Sequence, residues 1–236
     1  MAKIVGILGG MGPAATVDLF QRIVDATPAR RDQDHLHILI DNDPSVPDRT
    51  AAILAGGPNP LPVMQAGLQR LVQMGAQLIA IPCNTAHHYW PTLQAGVDVP
   101  VLNMIQETAA WIRGRLPQVV RVGILATSGT LAVELYQRAL EAEGLTPLTP
   151  TPEELETIMA AIYQVKAGRL TGEPQALLSQ AGQALVERGA QALILGCTEI
   201  PLVLEDGDLP VPLVASNQVL AEAVVREALA GERQPG

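Results

Sequence analysis

The chain repeats itself. Leu71-Val-Gln-Met-Gly-Ala-Gln-Leu-Ile-Ala-Ile-Pro-Cys83 aligns without gaps to Leu185-Val-Glu-Arg-Gly-Ala-Gln-Ala-Leu-Ile-Leu-Gly-Cys197. Six of these thirteen positions are identical, and Ile79, Ala80 and Ile81 exchange with the aliphatic Leu193, Ile194 and Leu195. Val5-Gly-Ile-Leu8 recurs as Val122-Gly-Ile-Leu125, and Val99-Pro-Val-Leu102 is answered by Val211-Pro-Leu-Val214. Shared order as well as shared content points to a duplicated structural unit.

Each copy reads as α/β. Ile4–Leu8, Leu36–Ile40, Leu78–Ile81 and Val99–Leu102 are short aliphatic runs expected to be buried strands. Between them lie helical patterns. One is opened by Pro13 with Val17, Phe20 and Val24 on one face, and another is marked by Met64, Leu68, Leu71 and Val72 and ends at Gly75. Strands separated by helices pair in parallel, with helices covering both faces. The expectation is two similar parallel-sheet α/β units related by a pseudo-two-fold axis, with a site in the cleft between them. Residues 1–102 form the first unit, completed by the segment 213–236, and residues 103–212 form the second.

Both cysteines sit at the same place in the two copies, the C-terminal end of a buried strand. That is where open α/β sheets bind ligands. A cysteine kept only for packing has no reason to respect the repeat, whereas a pair of opposed acid–base groups does. Two cysteines do not make a disulfide framework. Asn84-Thr85 and Thr198-Glu199 follow them and are expected to cap the next helix while offering hydrogen bonds to a ligand. A helix N-terminus also favours a thiolate.

Composition removes several classes of function. A net charge of −9, no Lys/Arg cluster and 3% aromatic residues argue against a nucleic-acid partner. The apolar opening is broken by Gly9, Gly10, Gly12 and Pro13, so neither a signal peptide nor a membrane span is expected, and the chain reads as soluble and cytoplasmic. Gly6-Ile-Leu-Gly9-Gly-Met-Gly12 does not fit the dinucleotide-binding Gly-x-Gly-x-x-Gly. His87 and His88 trail Cys83 closely, but no second histidine pair accompanies Cys197, so no metal is expected and the histidines are expected to line or flank the cleft.

Ile7-Leu-Gly-Gly-Met-Gly-Pro-Ala-Ala-Thr16, Pro47-Asp-Arg-Thr50, Pro82-Cys-Asn-Thr-Ala86 and Gly196-Cys-Thr-Glu-Ile-Pro201 together resemble the aspartate/glutamate racemase family, in particular its aspartate racemase branch. Glu199 favours that branch, since glutamate racemases carry His after the Cys-Thr pair. The resemblance implies cofactor-independent racemisation of a small acidic amino acid by a homodimer. Cys83 and Cys197 would act as the two bases on opposite faces of the α-carbon, exchanging roles with the direction of reaction. Asn84, Thr85 and Thr198 would stabilise the carbanion through the α-carboxylate.

Arg49, in a turn-rich stretch, reads either as a surface residue paired with Asp48 or as a carboxylate clamp. Lys166 ends a helix that Thr151-Pro-Glu-Glu154 opens as a capping box, with Leu155, Ile158 and Ile162 buried. On its own it reads as a structural lysine favoured by the helix dipole; the resemblance makes it the second carboxylate ligand. Met11 in the first glycine-rich loop, Glu199, and Thr127, Ser128 and Thr130 after the equivalent strand of the second copy complete the expected substrate site. One stretch departs from the aspartate racemase pattern: Val214-Ala-Ser-Asn217 and Leu220 replace an acid-bearing stretch and a histidine. Two alternatives follow, another activity of the superfamily such as hydantoin racemisation, or an acidic-ligand-binding protein without catalysis.

Overall fold

The computed structural model describes residues 2–230. Residue 1 and residues 231–236, assigned above to the first unit, lie outside the described residues. The first half runs β1 (Val5–Gly9), α1 (Pro13–Ala26), β2 (Ile38–Asn42), α2 (Arg49–Leu54), α3 (Leu61–Gln73), β3 (Leu78–Ala80), α4 (Trp90–Ala95) and α5 (Met104–Arg115). The second runs β4 (Arg121–Ala126), α6 (Ser128–Ala132), α7 (Leu135–Ala142), β5 (Thr146–Leu148), α8 (Pro152–Lys166), α9 (Glu173–Glu187), β6 (Ala192–Gly196), β7 (Leu213–Ala215) and α10 (Ser216–Leu229).

Two parallel sheets result. The first has the order β2-β1-β3, extended by a single parallel bridge from Ile79 to Val101, and the second has the order β5-β4-β6-β7. The order is therefore the same in both, and the register agrees. Val5 pairs with Leu78 where Val122 pairs with Ala192, and Ile79 meets Val101 where Leu193 meets Leu213.

Side-chain packing repeats as well. A Cβ on Gly6 would lie 2.7 Å from Ile79 and 3.0 Å from Ala76, and one on Gly123 would lie 2.3 Å from Leu193 and 3.2 Å from Ala190. These neighbours are equivalent residues of the duplicated segment. In each copy the missing side chain lets the helix and the adjoining strand close on the first strand of the sheet. Gly75 and Gly189, at φ +100° and +96°, end the equivalent helices in the left-handed conformation that a side chain disfavours.

Several expectations need correction. The second strand starts at Ile38 rather than Leu36, because its ladder is set by pairing with β1, from Val5↔Ile38 to Gly9↔Asn42. Val99–Leu102 makes one bridge and no extended strand. Leu213–Ala215 is hydrogen-bonded into the second sheet, while α10, which follows it, packs against α1 and α5. The apolar face read for α1 is turned outward: Val17 is 68% exposed and Phe20 39%. Ala15, Thr16, Leu19 and Ile23 are buried instead. The helix carries two apolar stripes, and the one that meets the small residues Ala221 and Ala223 of α10 in a shared core is the one that buries. Leu155 of α8 is half-buried, with Ile158, Ala161, Ile162 and Val165 forming the buried face. No described helix is long and apolar enough to cross a membrane.

Candidate active site

Cys83 follows the end of β3, and Cys197 follows β6 directly. Both are free thiols, each about 5% exposed. They line one small cavity between the two sheets, together with Met11, Arg49, Asn84, Thr85, Thr127, Lys166, Thr198 and Glu199. Asp48 and Thr50, at the start of α2, complete the lining; the sequence reading did not place them there. The enclosed space is about 20 Å³, room for roughly one water. A larger cavity of about 610 Å³ adjoins it, sharing Met11, Asp48, Arg49, Lys166 and Glu199 and walled by apolar residues such as Val46 and Leu170.

The cysteine-bearing loops are held from behind. The His87 ring is buried beneath Cys83, with Nδ1 2.8 Å from the Cys83 carbonyl and Nε2 3.1 Å from the Met104 amide nitrogen. That amide can only donate, so Nε2 is the unprotonated nitrogen and Nδ1–H donates to Cys83. Burial lowers the His87 pKa below its ordinary value and keeps the ring neutral. His87 thus supports the site rather than lining the cavity, and His88 is exposed on the surface.

Asn84 and Glu199 stand at the N-cap positions of the 3-10 turns Thr85–Tyr89 and Ile200–Leu202, but neither caps its turn with its side chain. Asn84 instead ties the halves together. It accepts from the Tyr136 hydroxyl and donates to Ser216 Oγ at 3.1 Å, and Ser216 donates to the Leu195 carbonyl at 3.2 Å. This chain of bonds runs from the residue beside Cys83 to the strand that carries Cys197. Burial raises the Tyr136 pKa far above its ordinary value, so the hydroxyl keeps its proton.

Thr85, Thr127 and Thr130 form a closed ring of hydroxyls at 2.9, 2.9 and 3.0 Å. Thr127 also caps α6, accepting from the Thr130 amide. Thr130 is fully buried in this ring, and the Ser128 amide donates to the Met159 sulfur at 3.3 Å; neither residue lines the cysteine cavity.

Arg49 is buried at the first position of α2, whose N-cap is Asp48. Its Nη1 donates to the carbonyls of Val46 (3.3 Å) and Pro47 (3.1 Å), and its Nη2 to Met11 (2.8 Å). Nε, also buried, has no hydrogen-bond partner among the described residues. Three hydrogen bonds to backbone carbonyls therefore fix the guanidinium beside Cys83. Burial opposes the charge, but Cys83 and then Asp48 and Glu199 outweigh it and raise the Arg49 pKa. Lys166, at the end of α8 and exposed on its outer side, behaves alike: burial of the ammonium lowers its pKa, and Cys197, Glu199 and Cys83 more than reverse that.

Cys197 donates its S–H to Glu199 Oε2 at 3.0 Å, and the Glu199 carboxylate is 3% exposed. Thr198 Oγ1 has a single hydrogen to share between Glu199 Oε2 and the Pro82 carbonyl, both at 3.4 Å. Burial first, and the Glu199 charge second, push the Cys197 thiol well above its ordinary pKa, with Lys166 countering in part.

The two parallel sheets thus bring a thiol from the end of each third strand, together with Arg49 and Lys166, to one cavity. The chain belongs to the Asp/Glu/hydantoin racemase family, whose model matches residues 8–224; the named racemases among its relatives are isomerases. The aspartate racemase of Picrophilus torridus has the same fold with a TM-score of 0.86 at 30% identity, covering 96% of this chain and 94% of that one. An aspartate racemase homologue from Pyrococcus horikoshii superposes with a TM-score of 0.77 at 25% identity over 97% of this chain and 99% of its own. The broad specificity amino-acid racemase RacX of Bacillus subtilis is 28% identical over 237 residues, 96% of this chain and 99% of that protein.

Proposed function

We propose that the protein racemises a small acidic amino acid, aspartate or glutamate, by moving protons between two thiols and the α-carbon. The observation that carries this reading is that Cys83 and Cys197, at equivalent positions of the two repeats, line a single cavity together with Arg49 and Lys166. One thiolate takes the α-proton while the thiol on the other face supplies one. Two cations suit a substrate with two carboxylates. The Arg49 Nε–Nη2 edge would hold one of these in bidentate fashion, and Lys166 the other. The carbanion is stabilised by donors fixed before substrate arrives, the Arg49 edge and the Thr198 hydroxyl among them.

A space of about 20 Å³ admits no amino acid, so substrate enters from the adjoining cavity as the halves part. A division into two units belongs to the same reading, with β7 kept in the second sheet and α10 packed on α1 of the first, each unit moving with its own cysteine. So do the cytoplasmic location and the homodimer, which sedimentation would test.

The decisive experiment is exchange of the α-hydrogen in heavy water, run with each enantiomer of aspartate and of glutamate. Exchange with at least one acidic pair is expected. Cys83→Ser and Cys197→Ser should each reduce racemisation by about 10²-fold or more, with melting behaviour retained. Binding of these amino acids without any exchange would leave the non-catalytic binding protein, and exchange with a hydantoin alone would leave the hydantoin racemase.

A further inference from the structure

The two thiols are equivalent in the repeat but not in their surroundings. Two residues beyond Cys197 stands Glu199, and two residues beyond Cys83 stands Thr85. Thr85 turns its hydroxyl into the ring with Thr127 and Thr130, whereas Glu199 turns a buried carboxylate onto the Cys197 sulfur at 3.0 Å. Gly12 leaves the room this requires: a Cβ there would lie 2.9 Å from Glu199 Oε1.

We propose that Glu199 is a positioning residue that assigns the resting proton to Cys197, so that the free enzyme presents Cys83 as the base and Cys197 as the acid. The other charged groups facing Cys197 are Lys166 at the end of α8 and Asp48 and Arg49 at the start of α2. Tyr136 of α7 also lies close, buried and protonated. Of these, only Glu199 accepts a hydrogen bond from the sulfur.

The enantiomer that such an enzyme meets first is the one whose α-hydrogen faces Cys83; this part rests on the racemase reading. The Cα–H bond breaks, its proton joins the Cys83 sulfur and its electron pair stays on carbon. The S–H bond of Cys197 then breaks, its proton forms the new Cα–H bond on the opposite face, and its electron pair stays on sulfur. Product leaves an enzyme with Cys83 protonated and the charge on Cys197, beside a carboxylate. That form is uphill and returns to rest by proton exchange with water. Free enantiomers are equal in energy, so kcat/KM is the same in both directions; the bias appears in kcat and KM taken separately.

The proton assignment is tested without substrate, by following the ultraviolet absorbance of the thiolate against pH in C83S, C197S and the same proteins carrying E199Q. In C83S the thiolate of Cys197 is expected to form at least about one pH unit above that of Cys83 in C197S, a tenfold difference in thiolate fraction. E199Q is expected to lower the Cys197 midpoint by a comparable amount and to move the Cys83 midpoint much less. In the otherwise intact enzyme, E199Q should also narrow the difference in kcat between the two enantiomers. The proposal is overturned if the two single-thiol proteins titrate together, if Cys83 titrates later, or if E199Q moves both thiols equally. Should E199Q not accumulate as folded protein, comparing C83S with C197S decides the matter alone. Failure of this titration leaves α-hydrogen exchange untouched, so the two readings fall separately.

Discussion

At the scale of single residues, the site depends on polar groups that the cavity does not show. Tyr136→Phe removes the donor to Asn84 and leaves a buried acceptor unsatisfied, which should cost about 1–3 kcal/mol. Denaturant unfolding would read this, and turnover should fall with it because Asn84 adjoins Cys83. His87 gives a pH dependence whose sign is fixed. Its pKa is lowered in the folded protein from an ordinary 6.5, so below that pH the unfolded chain binds the proton that the folded one refuses. Stability from this group is therefore complete above about pH 6.5 and is lost as the pH falls from there through the lowered folded pKa. His87→Gln should flatten that part of a plot of melting temperature against pH. The cysteines, Arg49 and Glu199 were legible in the sequence because the repeat and short motifs mark them. Tyr136 and Ser216 were not, since each reaches Asn84 from far along the chain, 52 and 132 residues away. Ser128 and Thr130 were read as ligands from their place after β4; Thr130 bonds to Thr127 in the hydroxyl ring and neither residue lines the cysteine cavity.

At the scale of elements, the duplicated strand–helix contact makes a paired test. Gly6→Ala and Gly123→Ala each push a methyl into the equivalent Ile79 and Leu193. Overpacking of this kind costs about 1–3 kcal/mol, and the two variants should lose similar stability, since the closer side-chain tip at Gly123 (2.3 Å against 2.7 Å) is offset by the closer alanine Cβ at Gly6 (3.0 Å against 3.2 Å). Urea unfolding of both variants would check this. Strand and helix alternation was legible because aliphatic runs and C-terminal glycines mark it in both copies. The face of α1 was not: periodicity found Val17, Phe20 and Val24 but could not know that α10 offers small residues to the other stripe. Nor could hydrophobicity alone separate β7, a strand with three ladder partners, from the single bridge at Val101.

At the scale of the whole molecule, one contact between the halves is that of α2 with α6. A methyl on Gly129 would lie 3.0 Å from the Thr50 backbone. Alanine in a helix gains about 1 kcal/mol over glycine, but a forced overlap costs about 1–3 kcal/mol, so the clash should win. Gly129→Ala is expected to lower the melting temperature and to raise KM more than it changes kcat, because it wedges the site without touching either thiol. Steady-state kinetics on an active substrate would separate the two. The crossing of α10 has a consequence of another kind. The core around Val5, Leu19 and Ile23 is closed by Leu220 and Val224, which a ribosome makes some two hundred residues after it makes β1. The half of the molecule translated first is thus the half completed last. Every nascent chain therefore carries that open apolar face through most of its synthesis, until α10 is made.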